Sequence, residues 1–353
     1  MAEGSEKENR EYAAVDFAKF FFCICILFLH TGAYHEVPYE KFVLYDILRL
    51  AVPFFFVSSG YFFGCRLWKE DHISAYDKWI GYEKRLLYPY LAFTAINTLL
   101  SAYDLYCAGE SLKWTILRLV RAAIFYPNGA LWYVWASMTG MAIVFFFVKV
   151  RRIKLACILG PICYCGALLG SSYCFLLNGT PLQRGVDLYL HIAVSTRNGL
   201  FVGFPLLLTG VTISKYSSKI TELTEIGGGK TVRAAAGVLL ASFAVLQGEI
   251  LWITSQDTPY EKEILLSQPF LSASVLILLL NCKWQANPGT MRLVRKLSTA
   301  IYFVHRPLLT CMRYFLNWRK IELGYMQQFV LLTVLCMAIC IPTCLFWKKK
   351  RAI

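Results

Sequence analysis

Charge is what this chain has least of. Only 16% of its 353 residues are Asp, Glu, Lys or Arg, against 57% hydrophobic residues. A soluble domain of that length has too little polar side chain to cover so much apolar surface. The thirteen cysteines contain no CxxC pair and no Cys/His spacing with a matching second half. That pattern excludes a readable zinc site and a disulfide framework, so no metal is expected. Most cysteines sit inside apolar runs, Cys23 and Cys25 in the first and Cys336, Cys340 and Cys344 in the last. There they read as small, soft packing residues. Internal repeats, low-complexity tracts and an appended soluble domain are also missing. The polar start MAEGSEKENREYAAVD shows no small-residue cleavage pattern after the apolar run that follows it. The first run therefore reads as a retained span.

What the chain does have is long apolar runs, not narrow 3.6-residue stripes, as expected of helices wetted by lipid. The sequence predicts an all-α, polytopic membrane helix bundle of about ten transmembrane helices. Their expected limits are 13–34, 43–64, 86–107, 129–148, 155–177, 199–214, 234–253, 267–282, 298–315 and 326–347. The division is a cytoplasmic tail over 1–12, an integral-membrane domain over 13–347 and a basic cytoplasmic tail over 348–353. Gly203, Pro205 and Gly210 predict that the short sixth run is broken or tilted. With the N-terminus inside, the inner segments hold 23 Lys and Arg and the outer loops 9. That bias places both termini in the cytoplasm and supports an even number of spans. The net charge of +14 collects in alternate loops, which argues against a nucleic-acid partner. The inner stretch WKEDHISAYDKWIGYEKR reads either as an interfacial helix or as a plain loop with aromatic anchors. The longest outer loop, Thr180 to Asn198, carries Asp187, His191 and Arg197.

Ionisable groups inside these runs are the candidates for chemistry. Lys19 and His30 lie eleven residues apart in DFAKFFFCICILFLHTG. Eleven helical steps are three turns plus about 20°, so the two share a stripe about 16 Å long. Asp16 stands one turn before Lys19 and can pair with it. Alternatively, Lys19 snorkels to lipid phosphate at the inner interface. His30, near the outer end, can take or give a proton near neutral pH. The second run, YDILRLAVPFFFVSSGYFFGC, holds Arg49 one turn from Asp46. Arg49 either grips a phosphate or carboxylate in a forked geometry or pairs with Asp46 to stabilise the bundle. Pro53 frees a backbone carbonyl, and Ser58, Ser59 and Gly60 allow close helix contact. Glu249 in AVLQGEILW and His305, beside Arg306 in AIYFVHRPLL, add two further possible proton carriers.

These pieces resemble the integral-membrane acyltransferase-3 family, which includes bacterial O-acetyltransferases of surface polysaccharides. The first-run pattern of that family is a basic residue, ten residues, then histidine, usually after an aspartate; here these are Asp16, Lys19 and His30. Lys19 stands where arginine is commoner, and a lysine cannot make two parallel bonds to phosphate. RLAVPFFFVSSGYFFG, GALWYVWA, STRNGLFVGFPLLLTGVTI and AIYFVHRPLL resemble further blocks of the family, in order along nearly the whole chain. The nearest resemblance is to the membrane portions of Gram-positive fusions with a serine racemase. The resemblance implies transfer of an acyl group, acetyl above all, from cytoplasmic acyl-CoA to a hydroxyl of a glycan or other cell-envelope acceptor. It implies a bacterial cell membrane, no metal, and His30, Lys19 and Arg49 as the reacting and donor-binding residues. Asp16, Glu249 and His305 are supporting candidates. His30 then acts as general base or as transient acyl carrier, and Arg49 holds the donor or the oxyanion.

Two other classes fit the same residues. Buried charges and short, interrupted helices also describe a transporter of a small anionic or polar solute. No matching pair of interrupted helices occurs in two halves of the chain, which counts against it. A non-catalytic membrane sensor for a lipid or glycan precursor is the other.

Overall fold

A computed structural model describes residues 12–68, 74–127, 130–216, 229–256, 262–282, 284 and 286–349. Most of both predicted tails, the start of the 68–85 stretch and most of the 215–233 loop lie outside the described residues. Among the described residues there is no strand. The chain is all-α, and a helix coincides with each of the ten apolar runs.

The helices are α1 (Ala13–Thr31), α2 (Glu40–Leu67), α3 (Ala75–Cys107), α4 (Leu112–Phe125), α5 (Trp132–Lys149) and α6 (Ile153–Leu169). They continue as α7 (Pro181–Ala193), α8 (Gly199–Lys215), α9 (Lys230–Ser255), α10 (Gln268–Leu280), α11 (Pro288–Arg319) and α12 (Tyr325–Lys349). Among the described residues, five stretches are long and apolar enough to cross a membrane: α1, α2, α5, Val232–Ser255 of α9 and Tyr325–Phe346 of α12. Helices α6, α8 and α10 are apolar but shorter. The surface matches lipid as solvent: Leu99, Leu240, Leu251 and Phe346 are exposed, while Asp16, Asp46, Glu249 and His305 are buried. Apolar side chains cost nothing against lipid tails, whereas polar groups there must find partners inside the protein.

The described chain falls into two units. The first comprises residues 1–51 and 275–353, and the second residues 52–274. In the first unit α1 packs on α11, on α12 and on the turn Leu48–Leu50, and α11 packs on α12. Its α1 ends where Gly32 takes φ 84°, a left-handed cap that glycine adopts without a Cβ penalty. In the second unit α5 packs on α3, α6 and α8. A Cβ on Gly60 would stand 2.1 Å from the Leu207 carbonyl oxygen, and one on Gly210 1.9 Å from that of Val57. The predicted close contact at Gly60 is therefore a crossing of α2 and α8 at backbone distance.

Two prolines shape helix starts. Pro53 cannot bond the Arg49 carbonyl, and the chain before it runs as a π turn, Val43–Ile47, then a tight turn, Leu48–Leu50. Pro205 follows a second π turn, Gly199–Gly203. The sixth run is thus widened at its start, and α8 continues without a break to Lys215.

Candidate active site

Sequence spacing puts Lys19 and His30 on α1; the structure supplies what surrounds them in the first unit. His30 lies near the C-terminal end of α1, half-buried, and His305 lies in α11 with no exposed surface. Their rings stack at 5.3 Å between centroids and 24° between planes. The two histidines are 275 residues apart in sequence, so no local pattern foretells the contact. Pro307 follows two residues later and removes a helical donor from the Phe303 carbonyl. In that turn His305 Nδ1 reaches back to the Tyr302 carbonyl oxygen at 2.6 Å. His305 Nε2 is buried with no hydrogen-bond partner among the described residues. A buried group left so costs about 1–3 kcal/mol, so the atom calls for a partner or a role.

The end of α1 that carries His30 is tied down from both neighbours. Arg313 of α11 donates from Nη2 to the Thr31 carbonyl at 3.4 Å and from Nε to Gln328 Oε1 of α12 at 3.1 Å. The Glu36 carboxylate accepts from the backbone N–H of Tyr325 at 2.6 Å and of Met326 at 2.9 Å. These bonds satisfy groups that helix termini leave unpaired, and they fix where the His30 ring can stand. Arg313 falls inside the predicted run 298–315.

The other end of α1 is held by a pair the sequence did not disclose. Arg295 of α11 donates to both Asp16 oxygens, from Nε at 2.9 Å and from Nη2 at 2.5 Å. Asp16 is almost fully buried and Arg295 half exposed. A fork of this kind is the strongest geometry open to an arginine and a carboxylate. Lys19, three residues on, is half-buried on the same helix. Arg49 lies in the tight turn that packs against α1, with the buried Asp46 in the π turn before it. The first unit therefore gathers Asp16, Lys19, His30, Arg49 and His305.

Glu249 belongs to the second unit, on α9. Its carboxylate accepts from Tyr173 Oη at 2.7 Å, Leu266 N at 2.5 Å, Ser267 N at 3.1 Å and Ser267 Oγ at 2.8 Å. Four donors satisfy it, two of them backbone groups just before α10, where a negative charge also suits the helix dipole. Arg197, from the outer stretch, pairs with Glu263 and lies over the rings of Tyr126 and Trp132 at 5.1 and 5.5 Å. Among the described residues no group of three or more His, Cys, Asp or Glu could hold a metal ion.

The acyltransferase domain model of the acyltransferase-3 family matches residues 12–345. A serine/alanine racemase of Enterococcus gallinarum is 25% identical over 309 residues, covering 87% of this chain and 41% of that protein. An amino-acid racemase of Enterococcus faecalis is 28% identical over 201 residues, covering 55% of this chain and 27% of that protein. The chain thus spans less than half the length of the curated relatives it matches. No solved structure matches it. With a family match running from the start of α1 into the last turns of α12, and with five helices among the described residues long and apolar enough to cross a membrane, the chain belongs to the acyltransferase-3 family as an integral membrane protein.

Proposed function

We propose that this protein transfers an acyl group, acetyl above all, from cytoplasmic acyl-CoA to a hydroxyl of a glycan or other cell-envelope acceptor. It does so in a bacterial cell membrane with both termini in the cytoplasm. What carries the reading is the α1 stripe inside an end-to-end family match: Lys19 about 16 Å from His30, with His30 against a second, buried histidine. Lys19 and Arg49 supply positive charge for the donor phosphates. The pantetheine arm runs along the stripe and brings the thioester to His30. There the C–S bond breaks, the acyl carbon gains the acceptor oxygen, and the hydroxyl proton ends on the CoA thiolate. His30 serves either as base for that proton or as carrier of the acyl group.

The test is release of CoA thiol from acetyl-CoA by the purified protein in liposomes that also contain envelope extract. Thiol release matched by ester formation in the extract is expected. Lys19→Ala should raise the acetyl-CoA KM about tenfold or more, and Lys19→Arg should restore it. Solute uptake with no thiol release would favour the transporter. An unchanged KM in Lys19→Ala would reduce Lys19 to a snorkelling role.

A further inference from the structure

Two imidazoles stand at one place, and their chemistry divides between them. A backbone carbonyl can only accept, so the 2.6 Å contact with Tyr302 makes His305 Nδ1 the donor. The neutral ring then carries its lone pair on Nε2, the atom that has no partner among the described residues. His305 is completely enclosed and stacked on His30. A hydroxyl that reaches the common edge of the two stacked rings has one proton to give, and the acceptor with a fixed lone pair in its ring plane is Nε2 of His305. From this geometry we propose that His305, not His30, is the base for the acceptor hydroxyl, and that His30 carries the acyl group. The inference rests on the acyl-transfer reading above and assigns the two roles within it.

The steps balance. A lone pair on a ring nitrogen of His30 attacks the thioester carbonyl, the C–S bond breaks, and the thiolate leaves with the other ring proton of His30 as free CoA thiol. The acceptor hydroxyl then gives its proton to His305 Nε2 and attacks the acyl carbon. The C–N bond breaks, and the proton passes from His305 to the His30 nitrogen so released. His305 ends as it began, and His30 ends neutral with its proton on the other ring nitrogen, a tautomer that exchange with water restores.

The decisive variant is His305→Asn. Its amide nitrogen can take the place of Nδ1 and keep the bond to the Tyr302 carbonyl, while the distal acceptor is lost. Detergent-solubilised protein is mixed with acetyl-CoA, quenched, and the peptides containing residues 30 and 305 are weighed. We expect His305→Asn to melt as the wild type does. It should release a burst of about one CoA per protein, hold acetyl on His30, and turn over about a hundredfold more slowly. Wild-type turnover in a folded His305→Asn would overturn the proposal and leave the ring a purely structural link to Tyr302. So would a folded variant with no burst and no acetyl-His30. Should the variant not fold, rapid quenching of the wild type without acceptor decides: acetyl on His30 supports the roles, and its absence during CoA release overturns them. If the wild type releases no CoA thiol in any membrane, the acyl-transfer reading itself fails and takes this assignment with it.

Discussion

Asp16 and His30 show how far single residues can be read. Each stood out in sequence because an ionisable side chain in an apolar run needs a reason. Neither partner was legible, because Arg295 and His305 come from a helix some 275 residues on, and period and spacing speak only within one helix. The Asp16–Arg295 fork predicts an asymmetric pair of variants. Arg295→Ala strands a buried carboxylate and should cost about 3 kcal/mol. Asp16→Asn leaves a half-exposed guanidinium that water can solvate, and should cost about 1 kcal/mol. Thermal melting in detergent checks the order; equal losses would mean that burial of Asp16 is not what makes the pair matter. Glu83, in the part of α3 before its predicted span, offers a pH test. Burial raises its carboxyl from 4.5 to about 7, with the Trp79 N–H partly offsetting the shift. The folded state therefore binds the proton more tightly than the unfolded state does. Stability from this group is greatest below about pH 4.5 and falls as the pH climbs towards 7. Partial exposure keeps the effect to about 1 kcal/mol. Glu83→Gln should flatten that decline in melting temperature between those two pH values.

Helices were the most legible level, since apolar runs report them directly. The positions of all ten runs recur as helices, and Gly60 meets a backbone as its small-residue context suggested. Gly60→Ala should thus cost about 1–3 kcal/mol through overpacking at the Leu207 carbonyl, with the loss read as a lower melting temperature. An unchanged melting temperature would mean that α2 and α8 can part without cost. Helices α4 and α7 escaped sequence reading because they lie in stretches taken as outer loops. Both are amphipathic, their apolar faces exposed at Leu117, Val120, Leu182 and Leu188. Their signal was present, in Pro181 at the first turn of α7 and in the 3.6-residue spacing of LKWTILRLV. The end of α7 is closed by Arg121, which donates to the Ile192 carbonyl at 3.1 Å. The π turns before Pro53 and Pro205 were half legible: proline announces a disturbed ladder, while the kind of disturbance depends on packing.

For the whole molecule, composition alone decided membrane over solvent, and the exposed apolar side chains of α9 and α12 agree. Orientation rests on Lys and Arg, many of them in segments outside the described residues. Reporter fusions after Lys348 and in the 215–233 loop should read cytoplasmic, and one near Thr258 should read outside. One inverted reporter would mean that a predicted span, first of all the short α8 or α10, does not cross. The proposed site was legible as a stripe from Lys19 to His30 with His305 as a supporting candidate, and the stacking of the two histidines came only from the fold. The most direct test of the account uses acetyl-CoA labelled in its acetyl group, added to inside-out vesicles holding wild type or His30→Ala. The account predicts label in a base-labile ester with the wild type, and at least a hundredfold less with His30→Ala at equal expression and melting temperature. Equal labelling by the two proteins would contradict it and remove His30 from the reaction.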